Sequence, residues 1–267
     1  MKTVLTIAGS DCSGGAGIQA DIKTITAHKL YAASAVTALT AQNTTGVFGI
    51  SECTPELLRS QLHSVFSDIF PDAVKIGMLA SSALIEVVAD ALMQYRPHNI
   101  VVDPVMIATS GNDLLEMPAR EALKEKILPL ADLITPNLPE AETLCGRKLV
   151  TDQEMEAAAK ELSEAYRAAV LIKGGHREYG ADDLLCGTED AVWFRGNRLE
   201  NPNTHGTGCT LSSAIACRLA EGYSMAKSVH LAKEYLTGAI RAGLDLGKGN
   251  GPLEHGWWLE MPWDAGK

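Results

Sequence analysis

The sequence predicts an α/β fold, a three-layer αβα sandwich with a mostly parallel central sheet and a small flap. Three observations point there. Short β-branched or apolar runs alternate with longer amphipathic ones along almost the whole chain, which implies a parallel sheet covered on both faces. Residues able to do chemistry sit where those short runs end, the side on which α/β proteins place ligands. The 267 residues are 46% hydrophobic, enough to bury a sizeable core. No repeat or low-complexity linker divides them, so residues 1–267 read as one domain.

Thr3 to Ala8 is a β-branched run ending at Gly9 and reads as a buried strand. The glycine-rich loop Gly9-Ser10-Asp11-Cys12-Ser13-Gly14-Gly15-Ala16-Gly17 follows, and Ile18, Ile22 and Ile25 carry helical spacing after it. Strand, loop and helix suit a nucleotide. The spacing is not the dinucleotide fingerprint, however, and the Gly-Lys-Ser/Thr end of a Walker loop is missing. Asp21 falls one turn after Gly17, near the loop's mouth; taken alone it also fits a solvated helix acid. Ala32 to Leu39 is the next strand, with Gln42 just past its end in Thr40-Ala41-Gln42-Asn43-Thr44. Val47 to Thr54 alternates, as an edge strand or flap does. Pro55 to Phe70 is an amphipathic helix with proline in its first turn. Ala73 to Ile76 is a strand ending at Gly77-Met78, and Ser81 to Tyr95 is a helix.

Asn99 to Val105 is a strand with Asp103 near its end. That carboxylate suits Mg²⁺ or phosphate chemistry, or is an ordinary turn acid. Ile107 to Leu115 is small and polar, either a lid or a surface loop. Ala131 to Thr135 is a strand, after which Pro136-Asn137-Leu138-Pro139-Glu140 opens a helix. Asn137 and Glu140 have capping-box spacing; the functional reading puts Glu140 near a metal-bound phosphate. Thr151 to Tyr166 is a helix. Ala169 to Ile172 is a strand leading into Lys173-Gly174-Gly175-His176, where Lys173 reaches a phosphate or sits in solvent. Asp182 to Leu199 reads as two antiparallel strands turning at Gly196-Asn197. Helical patterns over Thr210 to Glu221 and Met225 to Leu244 precede Gly249-Asn250-Gly251-Pro252 and a tryptophan-rich tail.

The chain is organised around Asn203-Thr204-His205-Gly206-Thr207-Gly208-Cys209-Thr210-Leu211. A loop of this composition can aim successive N–H groups at one spot, and the helix after it adds its own unpaired N–H groups and the positive end of its dipole. That combination holds a phosphate or a developing oxyanion. Cys209 lies in the first turn, where a thiolate is favoured. An anion cradle with a base or nucleophile inside suggests group transfer onto an oxygen. A glycine turn capping a core helix is the other reading.

The net charge of −10 argues against nucleic acid as the main partner. Six cysteines without C-x-x-C spacing read as reduced thiols in a cytoplasmic protein. MKTVLTIAGS passes directly from a short apolar run into glycine and acid, as a first strand does and a signal peptide does not. No stretch is long and apolar enough to span a bilayer, so no membrane partner is expected.

Taken together, Thr6 to Asp11, Ser13 to Asp21, Thr37 to Thr44, Lys75 to Leu79, Val102 to Met106, Leu133 to Ala141, Lys173 to His176 and His205 to Ser212 resemble the hydroxymethylpyrimidine/phosphomethylpyrimidine kinases of thiamine biosynthesis. The match runs nearly the full length in the family's order. The resemblance implies a ribokinase-like fold and ATP-dependent phosphorylation of a pyrimidine alcohol, then of its monophosphate. It implies that Gly9, Asp21, Gln42, Met78, Val105 and Cys209 line the pyrimidine site. Asp103, Asn137, Glu140, Lys173 and Thr207 would face ATP and Mg²⁺, with Asp103 and Glu140 nearest the metal. Amides from Gly206 to Cys209, including Gly208, would stabilise the transferring phosphoryl group. Cys209 would act as base, where related sugar kinases carry an aspartate; a small residue that only shapes the pocket is the other reading. Relatives suggest a homodimer. Pyridoxal kinase activity and a non-catalytic pyrimidine-binding protein are the alternatives. Dual-activity relatives have a lid cysteine, which Met106-Ile107-Ala108-Thr109-Ser110-Gly111 lacks.

Overall fold

A computed structural model describes residues 1–106, 115–175, 181–187, 191–196 and 198–259. Most of the expected lid, residues 107–114, lies outside the described residues, as do His176 and Asn197.

The strands are β1 (Thr3–Asp11), β2 (Tyr31–Asn43), β3 (Gly46–Glu52), β4 (Ala73–Ile76), β5 (Ile100–Val102), β6 (Leu133–Ile134), β7 (Ala169–Ile172), β8 (Asp183–Cys186) and β9 (Val192–Phe194). They form one sheet in the order β3-β2-β1-β4-β5-β6-β7-β8-β9. Every ladder from β2 through β7 is parallel. The β3 edge and the β8–β9 edge are antiparallel.

Helices α1 (Gly17–Ala27), α7 (Thr207–Ala220) and α8 (Met225–Arg241) cover one face; α2 (Pro55–Asp68), α3 (Ser82–Tyr95) and α4 (Met117–Ala122) cover the other. The period-2 geometry of strands divides the core. Leu5, Ile7, Val74 and Ile76 pack with Leu58, Leu62 and Leu84. Val4, Ala73, Val101 and Leu133 pack instead with Ile25, Ile215 and Val229. Near β7 and β8, α5 (Leu138–Cys145) and α6 (Asp152–Tyr166) build a third cluster around Val170 and Leu184.

β1 and β2 run beyond their apolar stretches. Their ladder shifts register between Ala8 and Ser10 and continues through Ser10↔Leu39 and Asp11↔Thr40. Gln42 consequently lies inside β2, opposite Val47 of the flap strand β3. α7 begins at Thr207, earlier than its apolar pattern, on a left-handed N-cap at Gly206 (φ 84°). The segment from α4 through a π-turn (Leu123–Ile127) and a 3₁₀ turn (Leu128–Leu130) has no counterpart among the sequence expectations. Among the described residues no helix is long and apolar enough to cross a membrane.

Candidate active site

The C-terminal ends of the parallel strands open into a cavity of about 850 Å³. The β1–α1 loop, the end of β7 and the start of α7 meet there, on the side to which the parallel strands all run.

At the heart of the cavity two glycine-rich segments touch backbone to backbone. A Cβ on Gly206 would lie 1.9 Å from the carbonyl oxygen of Gly15. Only a residue without a side chain permits that approach, and the positive φ of Gly206 demands glycine as well. Gly206 turns the chain so that α7 points its first amides into the cavity. Thr207 N–H bonds weakly to Thr204 O at 3.3 Å. The amides of Gly206, Gly208 and Cys209 have no acceptor among the described residues, as expected for a helix start.

Gly208 faces an ion pair. A Cβ on it would sit 3.3 Å from both Asp103 Oδ2 and Lys173 Nζ. Lys173 Nζ lies 2.7 Å from Asp103 Oδ1, with 14% and 3% of their side chains exposed. Burial disfavours the ammonium, but Asp103 and Glu140 more than offset this and raise its pKa. Glu140 is 2% exposed. Burial drives its carboxyl up to about 7; Lys173 acts downward and Asp103 upward. Asn137 and Glu140 form the reciprocal capping box of α5, at 2.9 and 2.8 Å. Both also line the cavity, so the capping role and the site position coexist.

Gly9, Gln42, Met78 and Val105 line the end nearest the flap, together with Val47 and Ile50 of β3. A Cβ on Gly9 would come 2.6 Å from Met78 Cε, so the Met78 thioether packs against bare backbone. The opposite end is formed by Leu199 and Pro202 with Leu236, Thr237 and Ile240 of α8. Nothing in the sequence pattern singled these out, since an apolar α8 residue reads as core.

Two expectations need correction. Asp21 does not line the cavity, nor is it a solvated acid. It is fully buried and faces the sheet. Its carboxylate meets Lys75 Nζ at 2.8 and 2.9 Å, Thr6 Oγ1 at 2.6 Å and Ser213 Oγ at 2.7 Å. A buried charge requires such partners, and β4 supplies the lysine. The Cys209 thiol, second, is not shifted toward thiolate. Burial raises its pKa; Lys75 and the Gly17 amide act downward without overcoming this.

His205 and Asp11 also carry site geometry that sequence reasoning left without a role. His205 Nε2 is 2.8 Å from Asp11 Oδ2, and the ring packs over Gly15, where a Cβ would lie 2.4 Å from His205 Cδ2. Burial opposes the Asp11 charge, but bonds from His205, Ser13 and the Ala16 amide outweigh it and hold the carboxyl at about 2.

Comparison with known proteins agrees with this architecture. The family model described as phosphomethylpyrimidine kinase matches residues 11–254. A hydroxymethylpyrimidine/phosphomethylpyrimidine kinase of Streptomyces coelicolor is 47% identical over 256 residues, covering 96% of this chain and 95% of that protein. The thiamine biosynthesis bifunctional protein ThiED of Geobacter sulfurreducens is 48% identical over 254 residues. That alignment covers 95% of this chain and 52% of the longer protein. A pyridoxal kinase of Bacillus subtilis, solved as an ADP complex, superposes with a TM-score of 0.88 at 37% identity, covering 96% of this chain and 97% of that one.

Proposed function

The chain belongs to the phosphomethylpyrimidine kinase family, and we propose that it phosphorylates 4-amino-5-hydroxymethyl-2-methylpyrimidine at the expense of ATP. A second transfer, onto the monophosphate just made, then yields the diphosphate for thiamine biosynthesis. One observation carries this reading. The unbonded amides at the start of α7, the Asp103–Lys173 pair and the Cys209 thiol all face one cavity.

The pyrimidine occupies the flap end, between Met78 and Val105, with Gln42 on its edge. ATP occupies the other end, its base against Leu236 and Ile240 and its phosphates toward Lys173, Asn137 and Thr207. Amides of Gly206, Gly208 and Cys209 hold the charge of the transferring γ-phosphoryl group. Cys209 accepts the hydroxymethyl proton as the oxygen attacks phosphorus and the bond to the ADP oxygen breaks. In the second transfer the acceptor is already an anionic phosphate, and no base is needed.

Asp103 and Glu140 offer the hard oxygen donors that Mg²⁺ prefers. Among the described residues no group of three or more His, Cys, Asp or Glu is placed to hold a metal ion. Two carboxylates fit an ion that keeps waters and shares phosphate oxygens. When bound, Mg²⁺ neutralises phosphate charge during transfer.

We place the reaction in the cytoplasm, on the chemistry of six unpaired cysteines. A homodimer is supported by Leu39 and Phe48, 61% and 69% exposed on β2 and β3; sedimentation should give twice the 28.4 kDa chain mass. Pyridoxal phosphorylation is the second reading, favoured by the Bacillus subtilis superposition. Coupled ADP release with the pyrimidine alcohol and with pyridoxal, product phosphates resolved by chromatography, tests both. Turnover of pyridoxal alone would overturn the main reading.

A further inference from the structure

Gln42 stands in a hydrogen-bond chain whose proton count determines its orientation. Its Nε2 position lies 3.3 Å from His205 Nε2. Its Oε1 position lies 3.2 Å from Thr40 Oγ1. His205 Nε2 is also 2.8 Å from Asp11 Oδ2, and Thr40 Oγ1 is 2.8 Å from the carbonyl oxygen of Ser10.

Consider the protons. The Asp11 carboxylate is an acceptor, so His205 Nε2 carries a hydrogen and donates it. A Gln42 NH₂ group facing that N–H sets donor against donor. At the other end, the Thr40 hydroxyl has one proton, which the Ser10 carbonyl takes at the shorter distance. A Gln42 oxygen facing Thr40 then sets acceptor against acceptor. A half-turn of the carboxamide resolves both conflicts together. The two ends of a carboxamide are nearly isosteric and are assigned by their partners. After the half-turn the oxygen accepts from His205 Nε2–H, which is shared with Asp11, and the amide donates to Thr40 Oγ1.

We propose that the Asp11–His205 pair holds Gln42 with its oxygen on the His205 side and its amide on the Thr40 side, and so dictates which pyrimidine edge is accepted. The inference rests on the reading of Gln42 as the residue that meets the pyrimidine. Each end keeps one free position: a lone pair beside His205 and an N–H beside Thr40. That pair matches an exocyclic amine next to an unprotonated ring nitrogen, with the amine on the His205 side. A 4-oxo analogue offers a carbonyl and a ring N–H, the reverse pattern. His205 is therefore a positioning residue: it acts on the substrate through Gln42.

The test compares kcat/KM for 4-amino-5-hydroxymethyl-2-methylpyrimidine and its 4-oxo counterpart. The wild-type protein should prefer the amine roughly 10- to 100-fold. His205→Phe keeps a ring over Gly15 but removes the donor; the preference should fall to about threefold or less, mostly through KM for the amine. His205→Gln restores an N–H toward Asp11 and should recover most of the preference. Gln42→Ala separates the two ideas. If Gln42→Ala abolishes the preference and His205→Phe retains it, the orienting role is wrong and the reading of Gln42 stands. If Gln42→Ala retains the preference, Gln42 does not read the edge and the inference falls with that reading. One measurement needs no variant. In the wild-type protein, nuclear Overhauser contacts from the Gln42 amide protons should be stronger to Thr40 than to the His205 ring. The opposite order overturns the proposal whatever the variants do.

Discussion

Lys75 and Asp21 form an ion pair, 2.8 Å between Nζ and Oδ2, with neither side chain exposed at all. The pair joins β4 to α1, and Ser213 extends it to α7. Burial disfavours the ammonium; Asp21, then Cys209 and Asp103, more than offset that and raise the Lys75 pKa. Lys75 therefore carries fixed positive charge close to the cavity without lining it.

Removing one partner strands the other. Asp21→Asn should destabilise the protein by about 3–5 kcal/mol in denaturant unfolding. Adding Lys75→Met should recover part of that loss. If the double variant is as unstable as the sum of the singles, the two residues are not coupled.

Cys209→Ala should slow the first phosphoryl transfer by roughly 10²- to 10⁴-fold and the second only a few-fold. Single-turnover measurements with the alcohol and with the monophosphate separate these. Equal losses would mean that the thiol only shapes the cavity.

The direction of the Cys209 shift sets a pH profile. Only the thiolate accepts a proton, and burial moves its formation upward. The first transfer should accelerate with rising pH and level off above the ordinary thiol value of about 8.5. The second should lack that limb. A first-transfer rate flat from neutral pH upward would contradict a thiolate base.

Gly206→Ala would place a methyl 1.9 Å from Gly15 O on a residue at φ 84°. Both transfers should fall together, by about 10²-fold or more, since the cradle serves each acceptor. This contrasts with Cys209→Ala, and the ratio of the two rates distinguishes cradle from base.

Two buried histidines should make the fold sensitive to mild acid. Burial lowers His28 and His255 from 6.5 to about 4. Between those values the unfolded chain binds protons that the folded protein refuses. Their contribution to stability thus falls as pH drops from 6.5 to 4, by up to roughly 3 kcal/mol per histidine, with no further slope from them below 4; Glu140, raised to about 7, acts in the opposite direction between 7 and 4.5. Asp11, held at about 2 against an ordinary 3.8, adds a loss only below 3.8. His255→Gln should flatten the upper slope in urea unfolding at stepped pH.

Strands and helices were largely legible, because buried parallel strands are short apolar runs set between amphipathic helices. That Gln42, Asp103 and Lys173, at or near the ends of their strands, line one cavity was legible for the same reason. Asp21 was not. Helical spacing fixes its place along α1 but not that Lys75, 54 positions away, awaits it on β4. The Cys209 thiol was misjudged because a helix start is visible locally, whereas depth of burial depends on α1 and β4. His205 and Asp11 stand 194 positions apart, and no local pattern joins them.

The Gly15–Gly206 contact also has a consequence for synthesis. β1 lies between β2 and β4 in the sheet and leaves the ribosome early, yet its loop has nothing to close against until residue 206 emerges. A nascent chain stalled before that point has all nine strands but neither α7 nor α8 to cover one face, and no phosphate grip, so partial translation products should neither retain nor spend nucleotide.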